Sequence, residues 1–406
     1  MNFLTKNACY IYIGLRMMYY LQQMLMISGI IAQTVFFASI MISFYAFYQV
    51  NRYYRTGPFI KWLNIMLVIL SIYGIIPIIG GWSLTGSLLD WVDFVYLQKV
   101  YGSLLPIYVF YYYSLTRRIT SDNLKYIYIA FLIFSILAFY QRQEFMSDLM
   151  GTEEVINNTG FYFIPLIPML LLLKIKDFWK YLFILVDFAF ILMSVKRGAI
   201  LGGSIMILLF IIHSNKVTSW KRLSYLLCLS LAILIAAYFF TVNFYAESDI
   251  LQRRVRQTLN GDSSGRDWIY SNYFHHFIEK TSALEFLIGN GANATWVLFG
   301  DFAHNDWLEF AINQGALGII MNIIFWAVLI WEWKHFKGLQ KCRQVFGALI
   351  VAYFLMSLHS MSIDMFPAAA TLCIGYCSAM NEKAKTADLV KVVRNRILDG
   401  KNSSFD

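Results

Sequence analysis

Arg197, Arg266 and His304 are the residues whose types suit chemistry on a phosphorylated substrate. Arg197 opens RGAILGG at 197–203, Arg266 stands in Gly265–Arg266–Asp267–Trp268, and His304 lies in AHNDWLEF at 303–310. A guanidinium directs several N–H donors at phosphate oxygens. A neutral imidazole fixed at the start of a helix can take a proton from an attacking hydroxyl. A plainer role stands beside each. Arg197 can be a headgroup-binding helix end, and His304 an interfacial hydrogen-bonding group. Gly198, Gly202 and Gly203 allow a close helix approach behind Arg197. Arg266 begins a segment whose free N–H groups and cation would face an anion. Arg253, Arg254 and Arg256 form a basic entrance better read as general electrostatics, and Lys196 is a secondary candidate.

Other chemistries fit less well. Gly289–Asn290–Gly291–Ala292–Asn293 lacks the Lys and Ser or Thr of a nucleotide phosphate loop and reads as a turn. His275 and His276 have no HExxH companion, and Asp301 with His304 does not make a complete metal site. No GxSxG elbow supports a covalent serine intermediate. His213, His335 and His359 have little local support, and His275 and His276 read as surface or packing groups.

The elements that must carry these residues are membrane helices. With 59% hydrophobic and 14% charged residues, and 34 Phe, 27 Tyr and 17 Met among 406 residues, the chain has more apolar surface than a water-soluble core can hide. It reads as one all-α membrane domain over 1–406. Apolar runs predict spans near 8–27, 29–49, 61–80, 97–116, 123–140, 161–176, 178–195, 197–214, 222–242, 314–334, 345–360 and 364–381. That makes about twelve helices, because hydrocarbon leaves no partner for an open backbone. Residues 382–406 read as a mixed, polar cytoplasmic tail. Cys9, Cys228, Cys342, Cys373 and Cys377 have no metal or disulfide spacing and read as small buried hydrophobes. Arg16, inside the first span, can snorkel, pair within the bundle or mark a wrong boundary.

The net charge of +9 is concentrated in every second turn: Arg52, Arg55 and Lys61, then Arg117, Arg118 and Lys125, then Lys174, Lys176 and Lys180, and later Lys334, Lys337, Lys341 and Arg343. The positive-inside rule therefore predicts cytoplasmic termini and an external region at 243–313. Nothing resembles a nucleic-acid motif. Lys196 and Arg197 break the charge rule by falling at an outer boundary, which marks them as functional candidates. From Trp268 through Leu287 the pattern predicts one amphipathic interfacial helix with Ile269, Tyr273, Phe277 and Ile278 on its apolar face.

RGAILGG, GRDW at 265–268, FLIGNG at 286–291 and AHNDWLEFAINQGALG at 303–318, taken in order, resemble the bacterial O-antigen ligase and polysaccharide polymerase superfamily. The resemblance implies a metal-independent glycosyltransferase of the cytoplasmic membrane that uses an undecaprenyl-diphosphate-linked glycan as donor and needs no cofactor. It also implies that Arg197 and Arg266 engage the carrier diphosphate and that His304 is the catalytic base, with Asn305, Asp306 and Glu309 as secondary candidates. A polymerase would transfer the glycan to a hydroxyl of another lipid-linked repeat, and a ligase to a terminal acceptor such as lipid A-core. Polymerase is the preferred expectation, and polysaccharide assembly proteins are possible partners. A glycolipid transporter or flippase is the reading from a different class.

Overall fold

The computed structural model describes residues 3–22, 24–80, 91–150, 156–214, 252, 256, 265–358, 360 and 367–402. Among these the chain is all-helical. The bundle begins with α1 (Phe3–Tyr20), α2 (Gly29–Tyr53), α3 (Pro58–Gly80), α4 (Trp91–Leu104), α5 (Pro106–Leu115) and α6 (Leu124–Met150). A 3-10 turn (Asn158–Tyr162) leads through the single helical turn α7 (Leu166–Met169) to α8 (Asp177–Met193) and α9 (Arg197–His213). The later part holds α10 (Arg266–His275), a π-helical turn (His276–Lys280), α11 (Ala283–Ile288), α12 (Ala294–Phe299), α13 (Asp306–Lys334), α14 (Gln340–Ser357) and α15 (Ala368–Asn402).

Local chemistry sets several boundaries. Ser28 caps α2 by accepting the Ile31 N–H, and Pro58 and Pro106 start α3 and α5, where a missing N–H costs nothing. Pro165 and Pro168 stand three residues apart in FIPLIPML and break 161–176 into short turns, so this expected span is not one continuous helix.

Length and apolarity qualify four described stretches to cross a membrane: Gly29–Tyr53, Pro58–Ile75, Leu124–Leu149 and Asp306–Lys334. Arg197–His213 is apolar but shorter. The expected span at 222–242 lies outside the described residues, as do Cys228 and His359. Among the described residues the helix of the last expected span begins at Ala368 and runs on to Asn402, so the mixed, polar tail is helical through that residue.

The core is organised around α5, in which every residue from Pro106 to Ser114 is buried. Its main neighbour is α15. Gly375 permits the approach, since a Cβ there would lie 2.6 Å from the Ile107 carbonyl oxygen. Cys9, Cys342, Cys373 and Cys377 are free and buried, as small hydrophobes should be. A second, smaller core joins Tyr273, Phe277, Ala294, Ala303, Ala311 and Ile312 beneath the polar stretch.

Candidate functional site

The site is built on a helix that breaks. Gly315 sits inside α13 at φ 66 and ψ −153, which no helix contains, so the helix divides into an outer piece ending at Gln314 and a longer inner piece. The freed carbonyls are claimed by the glycine loop: Asn290 N–H donates to Ile312 O at 2.9 Å and Gly291 N–H to Asn313 O at 2.9 Å. Gly289, at φ 79, packs directly on the Asn313 and Gln314 backbone, while a Cβ on Gly315 would meet Gly289 N at 2.5 Å. FLIGNG and AINQGALG are therefore two halves of one lock. Tyr73 of α3 donates to Ile288 O at 2.6 Å, and Gln314 donates to the Tyr96 hydroxyl of α4 at 3.0 Å, which ties the lock to the bundle.

Glu309 fastens the loop before α13. One carboxylate oxygen accepts the Ala303 N–H at 2.7 Å; the other accepts the Thr295 hydroxyl at 2.7 Å and the Asn313 amide at 3.2 Å. It is a buried group that holds this loop in place. Asn305 caps α13 by accepting the Trp307 and Leu308 N–H groups, and its amide donates to Leu358 O at 2.9 Å. Asp306 is buried in the first turn of the same helix, where a carboxylate suits the positive end of the dipole.

Between these fixed points stands His304, with its side chain 42% exposed. Its φ is +50, in the left-handed region that a non-glycine residue occupies only when its surroundings enforce it. Tyr270 and Tyr273 of α10 do the enforcing. Their hydroxyls donate to His304 O at 3.1 Å and to Asp301 O at 2.8 Å, gripping both ends of the four-residue loop. Burial raises both phenols above their ordinary range, so both remain protonated donors. The Asp301 carboxylate, held by the Phe302 N–H at 2.8 Å, lies 3.7 Å from His304 Nε2.

Burial is the main influence holding the His304 imidazole below its ordinary pKa. Asp301 pulls it upward, and Lys196 and Arg266 push it down. The two cations thus lie close enough for their fields to bear on the ring, though they come from distant parts of the chain. Arg266 is the first residue of α10, after Gly265 at φ 79. Lys196 precedes Arg197 at the start of α9, after Val195, a β-branched residue forced to φ 52. Gly160 packs on Ser194 and Ala199, and Asn157 N–H donates to Ser194 O at 2.9 Å, so this turn is braced from behind. Arg197 itself is half-buried. Gly202 meets Ile164 and Met356 and Gly203 meets Ile191, the close approach that RGAILGG predicts.

The remaining candidates separate. Arg256 is exposed and donates to Gln252 at 3.4 Å, whereas Arg253 and Arg254 lie outside the described residues. His275 pairs with Glu279 at the surface and His276 stands edge-on to Phe299, both surface or packing roles. The expected helix through Leu287 is interrupted: the π turn ends at Lys280, and Ser282 with Glu285 forms a capping box that starts α11. Its expected apolar face is also divided. Tyr273 and Phe277 pack into the small core with Ile269 against it, while Ile278 is exposed.

Sequence reasoning missed four participants. Tyr270 and Tyr273 are three apart and so share a helix face, but their targets in the Asp301–His304 loop have no local signal. Asp301 was visible only as half of an incomplete metal site. Lys99 Nζ lies 3.7 Å above the Phe302 ring and brings a cation from α4 to the same loop. Among the described residues, no group of three or more His, Cys, Asp or Glu side chains could hold a metal ion. No protein-family model matches the chain, and no curated protein matches it either.

Proposed function

We propose that the chain is a membrane glycosyltransferase that transfers a glycan from an undecaprenyl-diphosphate carrier to a hydroxyl of another lipid-linked repeat. The observation that carries the reading is the setting of His304: a partly exposed imidazole, kept neutral by burial and by Lys196 and Arg266, at the end of a strained and multiply braced loop. A neutral ring beside two cations suits an acid–base task next to an anionic leaving group. His304 takes the proton from the acceptor hydroxyl as its oxygen attacks the anomeric carbon. The bond from that carbon to the diphosphate oxygen breaks with inversion, and Arg266, Arg197 and Lys196 stabilise the departing undecaprenyl diphosphate. The phosphoester energy of the donor drives the step, without ATP.

In the same reading the chain makes about twelve crossings of the bacterial cytoplasmic membrane, with both termini inside and 243–313 facing outward. The four long apolar helices support repeated membrane crossing, and the basic turns in the sequence support the orientation. A reporter after Asp406 should remain cytoplasmic and a tag near Asn260 should label from outside.

Purified protein given a defined undecaprenyl-diphosphate-linked repeat should yield a product ladder without any terminal acceptor. Product only when lipid A-core is added would make it a ligase, and passage of intact glycolipid across the bilayer with no new glycosidic bond would make it a flippase. In single-turnover assays His304→Ala should retain donor binding and lose most transfer. Wild-type turnover by this variant sinks the general-base role.

A further inference from the structure

Residues 283–291 lie against the break in α13, and two separate lengths of helix measure how deep that is. Gly57, just before α3, stands beside Glu332 near the inner end of α13: an added Cβ would lie 3.5 Å from Glu332 Oε2. Glu332 pairs with Lys385 at 3.0 Å, an ionic contact that belongs at or beyond the inner edge of the hydrocarbon. From that level α3 rises to Tyr73, whose hydroxyl donates to Ile288 O at 2.6 Å. From the same level α13 leads back to Gly315, where an added Cβ would lie 2.7 Å from Phe286 O. At about 1.5 Å per residue these two lengths are about 24 and about 25 Å. Hydrocarbon is about 30 Å thick, and tilt of the helices only shortens the depth they cover. Both measures therefore put α11 below the outer edge of the hydrocarbon and not above it.

The side chains of α11 suit that depth. None of its residues is buried. Leu284, Phe286, Leu287 and Ile288 are 66, 38, 56 and 45% exposed, a cluster that would be costly to leave in water. The one charged residue of α11, Glu285, is folded back to accept the Ser282 N–H at 2.6 Å. Ile72 and Ile75, on either side of Tyr73, and Leu317 and Ile320, just after Gly315, are exposed as well, so both attachments of α11 are flanked by apolar surface of the spans. The backbone argues the same way. A helix broken within hydrocarbon leaves carbonyls that lipid cannot satisfy, so other backbone must come to them. The N–H groups of Asn290 and Gly291 do so at Ile312 and Asn313.

We infer that residues 283–291 form a re-entrant element that enters the outer leaflet, with the side chains of α11 docked among its acyl chains. Unlike a helix lying on the membrane surface, it carries backbone below that surface to repair α13. The inference rests on membrane crossing by α3 and α13 and is independent of the glycosyl-transfer reading.

The test uses the full chain in nanodiscs with a genetically encoded fluorescent amino acid in place of Leu284 or Leu287. Phospholipid carrying a nitroxide near the top of its acyl chain should quench both reporters severalfold more than dissolved iodide does. A reporter in place of Glu279, an exposed residue of the preceding turn, should show the reverse order. Iodide quenching at Leu284 and Leu287 equal to that at Glu279 overturns the insertion. Protection from both quenchers also overturns it, by showing that protein, such as a second copy of the chain, covers α11. A reporter at Ile320 that lipid nitroxides fail to quench would remove the crossing by α13 on which the inference rests. Hydroxyl-radical footprinting of the unsubstituted chain gives a second reading: Phe286 and Leu287 should stay unmodified while the exposed His275 is oxidised. Oxidation of all three alike overturns the insertion.

Discussion

The two ends of α13 each carry a buried glutamate, and they are used differently. At the outer end Glu309 accepts three hydrogen bonds from a loop, a neighbouring helix and its own helix, so both oxygens are occupied. At the inner end Glu332 joins Asn381 and Lys385 of α15 through one oxygen, while the other is buried without a hydrogen bond. Lys385 also pairs with Glu382 at 2.7 Å. The outer glutamate organises irregular backbone, and the inner one links two regular helices. A loop has no ladder of its own hydrogen bonds and depends on side chains to satisfy it, whereas a helix does not.

The largest effect should therefore come from Glu309→Ala. It strands buried donors at Ala303, Thr295 and Asn313, each costing about 1–3 kcal/mol, for a total of about 4 kcal/mol. Hydrogen exchange should show rapid opening at Ala303 and Thr295 with the inner helices still protected. Uniform loss of protection over the whole bundle would break the contrast between the two ends.

Next comes the lock. Gly315→Ala places a Cβ against the Gly289 and Leu287 backbone at a positive φ, and backbone cannot yield as a side chain can. A loss of about 3 kcal/mol, the upper end of overpacking costs, should appear in thermal unfolding. Gly14→Ala, where a Cβ meets nothing within 4 Å, is the matched control and should be neutral or stabilising.

A smaller loss belongs to the inner end. Glu332→Gln keeps a carbonyl oxygen for the Asn381 amide and gives up the charge on Lys385, which has Glu382 in reserve. The expected cost is about 1 kcal/mol, that of a single net hydrogen bond. A loss as large as that of Glu309→Ala would erase the distinction.

The smallest expected change is one of pH rather than stability. In the proposed reaction His304 is a base when neutral, so transfer should fall as pH drops through its pKa, and a lowered pKa should carry activity further into acid. Asp301 raises that pKa, so Asp301→Asn should move the acid limb of kcat to lower pH; Lys196 lowers it, so Lys196→Ala should move the limb to higher pH. Movement of both limbs in one direction would separate these residues from the His304 titration.

Much of the fold is legible without coordinates. Runs such as 29–49 and 61–80 have only the helical solution in hydrocarbon, and Ser28 and Pro58 mark their helix starts, whereas Pro106 falls inside the span expected at 97–116 and begins a second helix there. Two further signals are present but easily passed over. The Ser282–Glu285 spacing announces a new helix, and Pro165 with Pro168 rules out a continuous span. Arg266 at a helix start and the glycine face of RGAILGG are likewise readable from residue type.

What the sequence by itself determined, then, is the helical, apolar character of the chain, several of its helix starts and its candidate acid–base and cationic residues, because propensity, capping and burial act over a few neighbours. Tertiary structure alone decided that the charges of Lys196 and Arg266 act on His304, that Lys99 stands over Phe302, that two tyrosine hydroxyls hold the Asp301–His304 loop with His304 at a positive φ, and that the glycine loop takes over the carbonyls of a broken helix. Each of these contacts joins residues far apart in the chain. Their geometry depends on how whole helices pack, which no local pattern encodes.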